Sequence, residues 1–229
     1  MPSTADVTAL SAALRTLSDR AKVDLVTVWR SLPDPLDFAA VRDALDKAWP
    51  DLIASYAEMG SAVAADVFEV WAADLGLTAK VEMVDPVDPA RAGARMGWAI
   101  GTPEPLGNLS VVLDELVKQP ARSTIARSAV ASGAGWARVP NGATCAFCLM
   151  LASRGAVYTT ARSAGDGRKF HGECDCSVVL VRDARDYPEH YDPAALYDEY
   201  IAATVRRGKF GAIDTKATLA EMRTNLGTN

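Results

Sequence analysis

Cysteine is absent before residue 145 and after residue 176, and histidine occurs only twice in the 229 residues. That scarcity excludes a disulfide framework spread over the chain and leaves little material for a histidine-dependent triad. Positive charge is not in excess: 24 Lys and Arg stand against 29 Asp and Glu, a net charge of −5. No global basic field therefore draws the chain onto nucleic acid. No apolar run approaches the ~18 residues of a membrane span. The first residues, MPSTADVTALSAAL, have neither a basic leader nor a continuous apolar stretch. No signal peptide and no membrane partner are expected, and the chain is expected to stay in a reducing cytoplasm, where disulfides are disfavoured. Internal repeats and low-complexity tracts are also missing.

What is present begins with helical periodicity. Val7, Leu10, Leu14, Leu17, Ala21, Leu25 and Val28 recur at steps of three and four, predicting a helix over 5–31 with Ser3 or Thr4 as its cap. Pro33-Asp34-Pro35 should end it. A helix over Phe38–Trp49 is expected next. Pro50 then suits the first turn of a separate long helix, with a stripe of Ile53, Tyr56, Met59, Val63, Val67 and Val70 or Trp71. Gly60, Ala62, Ala64 and Ala65 would let another helix approach closely. Residues 84–89 read as a turn-rich linker and a candidate sub-boundary. A short helix over 90–100 and two more, Leu106–Lys118 and Pro120–Ala131, complete a helical region over residues 1–132.

The texture changes over residues 133–229. Residues 135–139 alternate like a short strand, and Thr144 could cap a helix over Cys145–Ser153. Residues 155–158 suit a strand, 161–170 a Gly-rich polar loop, and 176–181 a buried strand rich in β-branched residues. Asp192-Pro193 starts a helix carrying Leu196, Tyr197, Tyr200, Ile201 and Val205, and a last helix is expected over 215–224. The fold class is α+β: a mainly helical N-terminal region followed by a small α+β module.

The chemistry concentrates in Cys145–Cys176. Its spacing is Cys-x2-Cys, 22 residues, then His-x2-Cys-x-Cys. In a reducing compartment this pattern points to metal coordination, and the candidate ligands are Cys145, Cys148, His171, Cys174 and Cys176. Zinc takes four such donors at tetrahedral corners, so the expected cofactor is a structural zinc ion that closes the intervening loop. Five candidates exceed four places. Cys174 and Cys176 are expected to face different ways, with Cys174 preferred because His-x2-Cys is compact. The competing readings are reduced cysteines in a metal-free core, a redox Cys-x2-Cys, and a catalytic thiol at Cys145 or Cys148 with His171 as base. His190 reads as a surface turn residue.

These residues resemble the phage Mu F type of head morphogenesis domain, found in minor capsid proteins of tailed bacteriophages. The pattern is Cys-x2-Cys, a Gly before a short aromatic-containing strand, then His-Pro-x-Cys-Arg-Cys and an apolar strand. Here it falls on Cys145, Cys148, Gly155, Tyr158, His171, Cys174, Cys176 and the run 177–181. Gly172 stands where the family has proline, Asp175 where it has arginine, and no acidic residue precedes Cys145. The resemblance implies a non-enzymatic minor capsid protein that works in virion assembly. Its implied partners are the portal protein and procapsid components, and its place the head interior or portal vertex, after the host cytoplasm. The alternatives are a capsid maturation protease or nuclease-like enzyme on the same module, and a zinc-binding interaction module with no phage role. Arg206, Arg207, Lys209, Lys216 and Arg223 make the C-terminal tail locally basic, which allows weak DNA contact.

Overall fold

A computed structural model describes residues 1–32, 37–142, 144–159, 170–208 and 211–228. Among them the order is α1 (Thr4–Arg30), α2 (Phe38–Asp74), α3 (Pro89–Ile100), α4 (Pro105–Ala131), β1 (Gly135–Val139), α5 (Ala146–Ala152), β2 (Ser177–Val181), a 3-10 turn (Ala184–Asp186), α6 (Pro193–Ala202) and α7 (Thr215–Leu226). The class is α+β, with helices dominating a single two-stranded antiparallel sheet. The Pro33–Pro35 stop and most of the 161–170 loop lie outside the described residues.

α1 follows its periodicity. Ser3 caps it in a reciprocal box with Asp6, and Val7, Leu10, Leu14, Ala21 and Leu25 turn inward. The prolines behave differently from expectation. Pro50 does not begin a new helix; α2 runs through it without a break, and α4 likewise runs through Pro120. An internal proline forfeits one backbone hydrogen bond and costs ~3 kcal/mol. Burial of Trp49 and Ile53 beside Pro50 offsets that cost, at about 2–3 kcal/mol per large side chain. Leu116, Val117 and Ala121 do the same beside Pro120.

The second half of α2 also turns differently. Met59 and Val70 are 45% and 61% exposed, whereas Ala57, Gly60, Ala64, Phe68 and Trp71 are buried. Size misled the expected stripe: the small residues face inward because α2 lies close against α4, although Ala62 faces solvent.

Two large hydrophobic clusters result. One joins α1, α2, α3 and the first half of α4 through Leu25, Leu45, Trp49, Met96 and Leu113. The other joins the second halves of α2 and α4 to both strands, through Phe68, Trp71, Ile125, Trp136 and Val179. The division expected between residues 132 and 133 falls between α4 and β1, and this second cluster spans it.

β1 pairs with β2 in the register Gly135↔Val181, Ala137↔Val179 and Val139↔Ser177. Every residue of both strands is buried, so β1 is not the half-exposed strand its alternation suggested. The strand expected over 155–158 reduces to one bridge, Trp136 to Tyr158, whose rings stack at 4.2 Å. The helix expected after Asp192-Pro193 forms as α6; none of its residues is buried, and Tyr197 and Ile201 are each 50% exposed. α7 runs to Leu226, past the expected end at 224, and packs Met222 against Ala146 and Ala203.

Residues 79–84 form an extended strap along α4. The backbone N–H groups of Lys80, Glu82 and Val84 donate to Ser132 Oγ, Ser128 Oγ and Thr124 Oγ1 at 2.9, 2.8 and 3.0 Å. Every second strap residue meets every fourth helix residue, because ~6.6 Å of extended chain nearly matches ~6.0 Å of helix.

Candidate metal centre

α5 carries the first two sulfurs. Its N-cap is Cys145, not Thr144, and Cys148 sits three residues on, so both face one side of the short helix. The other donors come from the tight turn His171-Gly172-Glu173-Cys174, closed by the Cys174 N–H donating to the His171 carbonyl at 3.3 Å. The turn leads through Asp175 and Cys176 into β2.

All five candidates gather, in two groups that share Cys148. Cys145, Cys148 and His171 form the outer group, and Cys148, Cys174 and Cys176 the buried one. The Cys145 Sγ to His171 Nε2 distance is 3.1 Å, Cys148 Sγ to His171 Nε2 is 3.5 Å, and Cys148 Sγ to Cys174 Sγ is 3.4 Å. A zinc tetrahedron with bonds of ~2.3 Å to sulfur and ~2.0 Å to nitrogen has edges of about 3.5–3.8 Å. The three separations are at or below those edges, and the donor types suit a metal ion such as zinc. The expected divergence of Cys174 and Cys176 does not occur. Both precede the strand, and residues two apart on extended chain share a face.

Charge is pre-set in the cluster. The Cys148 thiol is held far below its ordinary value, first by hydrogen bonds from Cys174 and Cys176, then by His171 and the Arg138 charge. His171 is pushed up to about 10, chiefly by its hydrogen bond with Cys148. Cys174 and Cys176 are raised, each mainly by donating to Cys148. All four cysteines are free of disulfides.

The turn is held from α4. Glu173 has φ +60°, the sole non-glycine positive φ among the described residues, and its N–H donates to the buried Asp114 carboxylate at 2.8 Å. Asp114 also accepts from Ser18 at 2.7 Å and pairs with Lys118 at 2.7 Å and Lys22 at 3.6 Å. Gly172 lies so close to α4 that a Cβ there would overlap both the Val111 side chain and its carbonyl, so this packing has no room for a proline. Asp175, in place of the resembling family's arginine, pairs with Arg15 of α1 at 3.3 Å.

Two buried arginines, Arg122 of α4 and Arg138 of β1, complete the surroundings. Arg138 Nη1 is 3.5 Å from Cys148 Sγ, and Arg122 Nη2 donates to the Cys174 carbonyl. Sequence periodicity missed both, since it reads charge as outward-facing; the available signal was an arginine inside the apolar run Gly135–Val139. Asp114 was missed for the same reason.

On its outer side the cluster opens to a pocket of about 380 Å³, bordered also by Thr144, Glu173, Gly227 and Thr228. His190 is engaged elsewhere. Its Nδ1 lies 2.9 Å from Thr4 Oγ1 and its Nε2 3.2 Å from the Pro140 carbonyl, while the Thr4 hydroxyl donates to Glu189 at 2.6 Å. Among the described residues its hydrogen-bond partners are a hydroxyl and a backbone carbonyl, not a carboxylate. No helix among the described residues is long and apolar enough to cross a membrane.

A family model described as VG15 protein matches residues 1–203, a span that includes the whole cluster. The Gene 15 protein of Mycobacterium phage L5 is 31% identical over 46% of this chain and 49% of its own length. The Gene 15 protein of Mycobacterium phage D29 is 39% identical over 24% of this chain and 30% of its own. The matched parts are thus half or less of these relatives. No solved structure matches.

Proposed function

This chain belongs to the VG15 protein family, and from that premise we propose that it is a structural minor capsid protein, acting in head morphogenesis of a tailed phage. Phage relatives support the setting. The observation that carries the finer reading is the gathering of Cys145, Cys148, His171, Cys174 and Cys176, in the pattern that resembles the Mu F-type domain. In this reading zinc is structural: the two groups that meet at Cys148 close around one ion, and protein donors alone fill its four places. Its role is to fasten α5 and the 171–174 turn to β2 and α4. The chain is not an enzyme in this reading. It works by contact with the portal protein and procapsid components, in the host cytoplasm during assembly and then in the head interior or at the portal vertex.

DNA contact is secondary. Arg206, Lys216 and Arg223 are exposed, but Arg207 is tied to Asp214 at 3.3 Å and Lys209 lies outside the described residues.

The test has two arms. Metal analysis of the purified chain should give about one zinc per molecule, lost in Cys148→Ser together with protection of residues 135–181 from hydrogen exchange. Mixed with the portal protein of the same phage, the chain should co-sediment and leave the capsid proteins uncut. Cleavage of capsid protein or DNA that His171→Ala abolishes without loss of fold would replace this reading with an enzymatic one.

A further inference from the structure

We propose that Arg122 and Arg138 are built-in counter-charges of the metal centre, which set how firmly the ion is retained. This rests on the zinc reading above and deepens it.

The buried cations among the described residues are Lys118, Arg122 and Arg138. Lys118 has a carboxylate partner, Asp114, at 2.7 Å. Neither arginine has one. Arg122 Nη1 and Arg138 Nε have no hydrogen-bond partner at all, which is rare for buried polar atoms. Both guanidinium groups instead lie over one ring, Phe170, with their central carbons 4.3 and 3.6 Å from its centroid. An aromatic face offers a buried cation partial compensation, not a full negative charge. The groups within reach belong to the metal centre: Cys148 Sγ lies 3.5 Å from Arg138 Nη1, and Arg122 donates to the backbone carbonyl of Cys174.

The charge count explains the pairing. Zinc with three thiolates and a neutral imidazole has a net charge of −1, and with four thiolates −2. Either centre would be a poorly solvated anion next to the fully buried strands β1 and β2, and uncompensated buried charge is costly. Two permanent cations on neighbouring elements balance the −2 of a four-thiolate centre and exceed the −1 of a three-thiolate centre by one charge, which the Phe170 face helps to hold. Metal binding replaces thiol protons and makes the site more negative, so nearby positive charge favours the loaded state.

The test compares charge with shape. Arg138→Met and Arg122→Met remove the charge and keep much of the bulk; Arg138→Lys and Arg122→Lys keep the charge and lose the planar fork. Zinc release to a chromogenic chelator should quicken at least tenfold in each methionine variant and stay within about threefold of wild type in each lysine variant. Cobalt-substituted protein should show a shifted sulfur-to-metal charge-transfer band in the methionine variants only. Circular dichroism and thermal melting check the fold, and Arg138→Gln or Arg122→Gln, which keep an N–H donor without the charge, replace the methionine variant at the same position if it fails to fold. If wild type holds one zinc and the neutral variants release it at the wild-type rate, the counter-charge role is wrong and the metal site stands. If the lysine variants lose zinc as fast as the neutral ones, the arginines act by shape and the proposal falls. Wild-type protein that takes up no zinc overturns the metal reading, and this one with it.

Discussion

Replacing Asp114 by asparagine should be among the most damaging single changes in the chain. The carboxylate is 2% exposed and serves four partners: Lys118, Lys22, the Ser18 hydroxyl and the Glu173 N–H. The amide keeps the shape but strands the buried Lys118 cation and turns an N–H toward donors. Breaking a buried pair from one side costs about 3–5 kcal/mol. For a domain of this size that is a fall in Tm of roughly 6–20 °C, at about 2–4 °C per kcal/mol. Removing the stranded cation as well, in Asp114→Asn with Lys118→Met, should recover part of the loss and give a coupling of about 1–3 kcal/mol in a double-mutant cycle. Burial alone would raise the Asp114 carboxyl; Lys118 and the Ser18 hydroxyl outweigh it and hold it below the ordinary 3.8. A depressed carboxylate contributes fully above that value, and its share is lost as pH falls through the lower folded value. Wild type and Asp114→Asn should therefore differ most near neutrality and converge in acid below pH 3.8. A variant within 1 kcal/mol of wild type by urea titration at pH 7 would refute the reasoning.

Three further outcomes follow from the same geometry. Gly172→Ala should cost about 1–3 kcal/mol by overpacking against Val111 and should loosen zinc as well, both readable from a melt in the presence and absence of a chelator; an unchanged melt would mean that the turn does not sit against α4. Ser128→Ala should remove the acceptor for the Glu82 N–H and cost about 1 kcal/mol, seen as faster hydrogen exchange at that amide, whereas unchanged exchange there would refute the strap contact. In metal-free protein His171 should titrate near pH 10, because its raised value stabilises the fold fully below the ordinary 6.5 and ceases to do so as pH rises through about 10; an NMR midpoint between 6 and 7 would show that the ring does not face Cys148.

Legibility from sequence followed what each residue type reports locally. α1 and α3 were readable because their apolar residues keep helical spacing and follow good N-caps, and β2 because four β-branched or apolar residues follow one another. Pro50 and Pro120 were misread because a proline's local cost is visible in sequence, while the burial of Trp49, Ile53 and Leu116 that offsets it is a tertiary fact. The gathering of the cysteines was foreseeable from spacing in a chain that has none elsewhere. The shared face of Cys174 and Cys176 was not foreseen, although a separation of two residues already implied it. Arg122, Arg138 and Asp114 stayed hidden because a charge buried by its partners leaves no periodic mark.

The strap over α4 has a consequence for its own length. Two rulers of unequal pitch are laid side by side, one stepping ~6.6 Å per contact and the other ~6.0 Å. The first contact can be in phase, but each later one slips by about 0.6 Å, so by the fourth the accumulated error of ~1.8 Å exceeds what a hydrogen bond tolerates. Such an alignment behaves as a vernier: it reads true over three marks and then must stop. The ladder stops there, at Val84, and the next residue in phase, Pro86, has no N–H to donate. Adding a fourth serine or threonine one helical step before Thr124, at Pro120, would therefore gain nothing. Inserting two residues into the strap would shift every contact to a new mark and leave the slip unchanged.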